Sequence, residues 1–161
     1  MRPELNLSDV EIVEFAELDI AILTHRGSPR TLPLSIQNFV AWRKANQLSP
    51  VNSRTFNIIY NDPRQATETE YRFGLGVEIK SNSYALAENM HFETIPSCRC
   101  AYFRHIGPEH LLSHSLEFLF THWLNATQNL PGKFPLFFER VSFGPQVLET
   151  EMITDIYLPL N

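Results

Sequence analysis

Apolar residues along the chain fall in short alternating runs, each closed by Gly, Pro or Asn. Residues 10–15 and 19–24 read as strands, followed by the turn Arg26-Gly27-Ser28-Pro29. The spacing predicts a helix over 33–47, with Pro33 in its first turn and Ile36, Phe39 and Val40 as its apolar positions. Strands at 55–60 and 71–79 follow, separated by a loop carrying Asn61-Asp62-Pro63. The same order then returns. Residues 91–95 and 98–105 are extended, Ile106-Gly107-Pro108 turns, and a helix is expected over 108–126. Its stripe is Leu112, Leu116, Leu119 and Trp123. Strands at 134–141 and 152–158 end the pattern, with Pro159 suited to a strand end.

The recurrence is also visible residue by residue. A shift of 80 superposes Ala21 on Ala101, His25 on His105, Gly27 on Gly107 and Ser35 on Ser115. Such an ordered set over about 25 positions exceeds the roughly one or two identities that composition gives. The chain therefore reads as one α+β domain over residues 1–161, with pseudo-repeats at about 9–80 and 90–160. Each is a βαββ-like unit, and a central ligand groove is expected at their pseudo-twofold junction.

Composition narrows the function. The 161 residues carry 13 Lys and Arg against 18 Asp and Glu, net −5, which is the wrong balance for neutralising phosphates. Direct DNA binding is not expected. No apolar run approaches the roughly 20 residues of a membrane helix, and the first residues lack a signal-peptide pattern. A cytoplasmic protein is expected. Cys98 and Cys100 share one strand face, where they read as small core residues rather than a disulfide or a metal pair.

No set of nucleophile, base and acid stands out, and no cofactor or metal is expected. His110, His114 and Glu117 share a helix face, but it lies opposite the apolar stripe and reads as solvated. His25 and His105 read as strand-end residues beside the repeated turn. Gly74-Leu75-Gly76 lies in a strand pattern, so it reads as a close backbone approach and not as a phosphate loop.

The segment from Phe134 to Phe143 is the most informative. Strand alternation places Phe137, Glu139 and Val141 on one face and Leu136, Phe138 and Arg140 on the other. A carboxylate among aromatic rings must meet a cation or hydrogen-bond donors. Two readings follow. Glu139 is a ligand's counter-ion, suited to a lipophilic cation, or it sits on an edge strand paired with Arg, Lys or solvent.

The ordered motifs resemble the GyrI-like small-molecule-binding domain, the effector-binding domain of AraC-type and some MerR-type bacterial regulators. They are Ile95-Pro96 through His105-Ile106-Gly107-Pro108, Trp123-Leu124, Pro135-Leu136-Phe137-Phe138-Glu139, residues 154–160, and Tyr60-Asn61-Asp62-Pro63. The resemblance implies a duplicated fold whose groove takes hydrophobic, often cationic compounds, including multidrug-type ligands. It implies a ligand role for Glu139, with Phe137, Tyr60, Phe73, Tyr102, Trp123 and Trp42 as candidate walls. Val141 stands where the family often has tyrosine. Binding is thus favoured over enzymatic activity. The alternatives are contact with DNA gyrase as an inhibitor, partnership with a regulator, or hydrolysis of strained cyclopropane compounds.

Overall fold

A computed structural model describes residues 5–61, 66–142 and 147–161. Its strands are β1 (Glu11–Phe15), β2 (Leu18–Arg26), β3 (Thr55–Ile59), β4 (Arg72–Glu78), β5 (Met90–Ile95), β6 (Cys98–Ile106), β7 (Phe137–Arg140) and β8 (Ile153–Pro159). Helix α1 is Leu32–Ala45. The second long helix runs as α2 (Leu112–Glu117), a π-helical segment (Phe118–Trp123) and α3 (Leu124–Thr127). It ends at Gln128, whose φ of 60° stops the helical path.

All strands join one curled antiparallel sheet in the order β1-β6-β8-β7-β3-β4-β2-β5. That order reads the same from either end once each strand is exchanged for its repeat partner. The pseudo-twofold axis therefore passes between β3 and β7. Register supports the match: Ile20 pairs with Glu78 as Cys100 pairs with Pro159. The halves also exchange their first strands, β1 pairing with β6 and β5 with β2. Each unit is thus ββαββ, the βαββ-like core preceded by the extended segment that the pattern also shows at 10–15 and 91–95.

The repeated residues have duplicated structural work. His25 Nε2 donates to the Ser28 carbonyl at 2.8 Å, and its Nδ1 meets the Ser35 hydroxyl at 2.7 Å. His105 does the same with Pro108 and Ser115, at 3.0 and 3.3 Å. Each buried imidazole ties a strand end, a glycine turn and a helix together. Gly27 and Gly107, with φ of 106° and 134°, make the turns possible. Ala21 and Ala101, fully buried, belong to the two cores on the helix-covered face.

Both helices cover one face of the sheet. The second helix buries Leu112, Leu119 and Trp123 as the stripe predicts, with Leu116 packed beside them. Helix α1 differs from expectation. It buries Phe39, Trp42 and Arg43, while Ile36 and Val40 remain about two-fifths exposed. Phe39 and Trp42 pack against β2 and β4; Val40 lies on the far side from Trp42 and faces outward, and Ile36, a turn before Phe39, is left partly exposed near the helix start. Cys98 and Cys100 are free thiols on one face with Sγ atoms 3.5 Å apart. Burial pushes the Cys100 thiol up. His110, His114 and Glu117 are exposed, and no metal-holding cluster occurs among the described residues. No helix among them is long and apolar enough to cross a membrane.

Candidate ligand-binding site

The other face of the sheet carries a core of its own, closed by side chains and not by a helix. Period-two alternation sends Ile20 and Ile22 of β2, Phe56 and Ile58 of β3, Cys100 and Tyr102 of β6, Phe137 and Glu139 of β7, and Asp155 and Tyr157 of β8 to this side. Phe15, at the end of β1, folds onto the middle of it. Its ring meets Phe137 at 5.0 Å and Tyr157 at 5.1 Å, both edge-on, while Phe137 stacks on Tyr157 at 5.1 Å. The junction of the repeats is thus floored and filled by aromatic side chains. Two hollows among the described residues lie elsewhere. One, of about 1050 Å³, runs between β6 and the second helix, and one of about 370 Å³ lies beside Asp19 and Phe92.

Glu139 lies on this aromatic face with its side chain only 15% exposed. β7 is central, between β8 and β3, so the edge placement in the second reading does not hold, but its pairing of Glu139 with an arginine does. Arg54 Nε and Nη2 donate to Glu139 Oε2 and Oε1, each at 2.8 Å. The guanidinium carbon stands 5.1 Å from the Phe56 ring centroid and 5.7 Å from that of Phe15. Glu139 raises the Arg54 pKa, chiefly through that hydrogen bond.

The backbone at Arg54 is firmly held. The Glu78 N–H donates to its carbonyl at 2.9 Å, and its own N–H donates to Glu78 Oε1 at 3.2 Å. On the opposite side buried Arg43 grips both neighbours, donating to the Ser53 carbonyl and the Thr55 hydroxyl. Burial lowers the Arg43 pKa, and three oxygen partners compensate it there.

A second charged set lies beside the first. Arg104 Nε and Nη2 donate to Asp155 at 2.8 and 3.0 Å, and the Tyr102 hydroxyl donates to the same carboxylate at 2.9 Å. Burial pushes the Tyr157 phenol up, with Glu139 and Asp155 adding to the shift. The polarity of the face is lopsided. Where the second half places Arg104, Glu139, Asp155 and Tyr157, the equivalent first-half positions hold Thr24, Ile58, Gly74 and Gly76. At Gly74 an added Cβ would stand 2.9 Å from Ile58 Cβ and 3.3 Å from the Tyr60 ring, the close approach read from the sequence.

Of the candidate walls, Phe137, Tyr60 and Tyr102 gather on this face with Glu139. Tyr60 closes the first-half side, under the Arg72 guanidinium at 4.8 Å. Trp42, Trp123 and Phe73 belong to the helix-covered face and do not reach it. Trp42 even donates its indole N–H to the Ala85 carbonyl in that layer. Their alternation and helical stripes put them there. Asp62 and Pro63 of the first-half loop, and Phe143, lie outside the described residues. Arg54, Phe15 and Tyr157 were missed. Arg54 and Glu139 are 85 positions apart, and only the need of a buried carboxylate for a cation hinted that such a residue must exist.

The family model of the GyrI-like small molecule binding domain matches residues 8–161. The chain belongs to that family. A protein named probable transcriptional regulator YgiV, from Escherichia coli K12, is 33% identical over 94% of this chain and 96% of its own. The fold matches EcmrR in a complex with DNA, with TM-score 0.73, 14% identity, and 94% of this chain covered. There the chain spans 56% of the EcmrR length, and the isolated EcmrR C-terminal domain gives TM-score 0.72 with 96% of that domain covered. SAV2435 bound to tetraphenylphosphonium matches with TM-score 0.55 and 14% identity over 94% of this chain and 93% of that one. At these identities the structural likeness is one of fold.

Proposed function

We propose that this small-molecule-binding domain captures hydrophobic cations on the helix-free face of its sheet, with Glu139 as the counter-ion. One observation carries the reading. A carboxylate 15% exposed stands at the junction of the repeats, beside the Phe137, Tyr157, Phe15 and Phe56 rings. Rings offer faces to a cation and apolar area to its substituents, while the carboxylate supplies the charge. The fold likeness to SAV2435, whose structure holds a lipophilic phosphonium, supports the same class.

Capture without chemistry is the favoured form. A hydrolytic step needs Glu139 free to activate water, but Arg54 holds both of its oxygens, and burial pushes the nearby Tyr157 phenol up, which weakens it as a proton donor. Val141 offers no side-chain proton, and its N–H is committed to the Ile153 carbonyl at 3.1 Å.

Isothermal titration calorimetry with tetraphenylphosphonium, neutral tetraphenylmethane analogues and tetraphenylborate tests this. Saturable binding of the phosphonium is expected, lost in a folded Glu139→Gln variant, with the ligand recovered unchanged. Binding that ignores the substitution, or a preference for the borate, would refute the assignment.

A further inference from the structure

The preceding reading makes Glu139 the anchor for a ligand cation, but the chain already supplies a cation of its own. The Arg54 guanidinium makes both hydrogen bonds the carboxylate can offer a planar fork, and it lies close to two phenylalanine rings. Charge pairing and ring contact are the same two attractions a lipophilic cation would use. We propose that Arg54 is a self-ligand of the site, which holds Glu139 until an incoming cation displaces it, and that it sets the affinity and the size of cation the domain accepts. The proposal rests on the cation-binding reading of Glu139.

Four observations favour displacement over a permanent strut. First, Arg54 precedes β3 and is not part of it, and its side chain is 41% exposed, so it has a path to water. Second, its backbone is held independently of its side chain. Glu78 bonds its N–H and carbonyl, and Arg43 bonds Ser53 and Thr55. Release of the guanidinium therefore leaves the strand start in place. Third, Glu139 is the one side-chain acceptor of the guanidinium among the described residues, so release breaks one fork of two hydrogen bonds and the contacts with the Phe15 and Phe56 rings. Fourth, the other arginine beside the site is otherwise engaged. Arg104 is bound to Asp155 through two donors and cannot take over Glu139 without abandoning it.

The energetic consequence is a threshold. A cation that merely equals Arg54 gains nothing by replacing it, because the carboxylate exchanges one partner for another. Net affinity must come from apolar area that a guanidinium lacks, set against partly exposed Tyr157 and the faces of Phe15 and Phe56 that Arg54 now covers, since Phe15, Phe56 and Phe137 are otherwise buried. Small hydrophilic cations are thereby rejected and bulky aromatic ones are admitted.

The test compares wild type with Arg54→Met, which keeps the apolar stem and removes the charge, and with Arg54→Lys, which keeps the charge and loses the fork. Tetraphenylphosphonium and tetramethylammonium are titrated into each, with folding checked by circular dichroism and melting. Arg54→Met is expected to bind the phosphonium roughly 5- to 30-fold more tightly, the factor that one or two kcal/mol of lost competition gives. Arg54→Lys should fall between. The gain should vanish in Arg54→Met with Glu139→Gln. In wild type, the Arg54 Nε–H resonance should broaden into solvent exchange as the phosphonium saturates the site. Equal or weaker phosphonium binding by Arg54→Met, where wild type does bind, would overturn the role of Arg54 and leave the Glu139 reading standing. If Arg54→Met does not fold, an Nε–H resonance that stays protected at saturation overturns the proposal on its own. Absence of phosphonium binding in every variant would overturn the Glu139 reading and this proposal with it.

Discussion

Breaking the Arg54–Glu139 pair should cost stability by an amount that its burial fixes. Two unit charges about 4 Å apart attract by about 4 kcal/mol at the effective dielectric of a protein surface. Desolvation and the ordering of a long side chain oppose that. Exposed pairs retain only about 0.2–1 kcal/mol, whereas removing one partner of a buried pair costs about 3–5 kcal/mol. Here one partner is 15% exposed and the other 41%, so the pair sits between these limits and must be discounted for solvent on the arginine side. The fork geometry favours the upper part of what remains. We therefore expect a coupling of about 1–2 kcal/mol. The assay is a double-mutant cycle of Arg54→Met, Glu139→Gln and both together, each unfolded in urea without ligand. Repeating it in 1 M salt, where screening acts within about 3 Å, should bring the coupling toward the exposed-pair range. A coupling below about 0.3 kcal/mol at low salt would show that the pair is decorative and that the threshold for cations has no source.

Gly74→Ala should destabilise the domain by about 1–3 kcal/mol, since the new methyl meets Ile58 Cβ at 2.9 Å, and Ile58→Ala, which keeps that Cβ, should not restore it; urea melts of the two variants and their combination check this. His25→Ala and His105→Ala should each cost about 1–3 kcal/mol, because each strands a turn carbonyl and a helix hydroxyl in a buried place, and thermal melts losing less than half a kcal/mol would refute the shared role. The Tyr157 phenol is pushed up by burial, then by Glu139 and Asp155. Its stabilising contribution is therefore complete below the unfolded phenol's value near 10, and declines as pH climbs from there toward the raised folded value. Tyr157→Phe should flatten the fall of stability above about pH 10, and an unchanged slope in alkaline urea melts would contradict the burial argument.

Much of this architecture was readable because the repeats do identical work. His25, Gly27 and Ser35 return as His105, Gly107 and Ser115 since each set closes the same junction of strand, turn and helix. The stripe of the second helix was legible because Leu112, Leu119 and Trp123 all face one core. Helix α1 was not, because it spends a core position on Arg43, whose three hydrogen bonds no periodicity reveals. Strand alternation assigned Glu139 and Arg140 to opposite faces correctly. What sits opposite each was hidden, since Arg140 reaches Asn57 and Glu139 reaches Arg54, both in the other half. The exchange of β1 and β5 between halves was hidden for the same reason: pairing partners roughly 80 residues away leave no local pattern. That exchange is what brings Phe15 into the aromatic cluster of the second half.

A ligand cation beside Glu139 should bind on the helix-free face and not in the larger hollow beside the second helix. A methyl-labelled NMR titration with tetraphenylphosphonium decides between them, because phenyl ring currents shift only nearby methyl groups. Large shifts are expected for Ile20, Ile22 and Ile58 in the core of the helix-free face. Little should change at Leu7, Ile106 and Leu111, which line the hollow of about 1050 Å³. Shifts confined to Leu7, Ile106 and Leu111, with the isoleucines of the helix-free face unmoved, would contradict this placement.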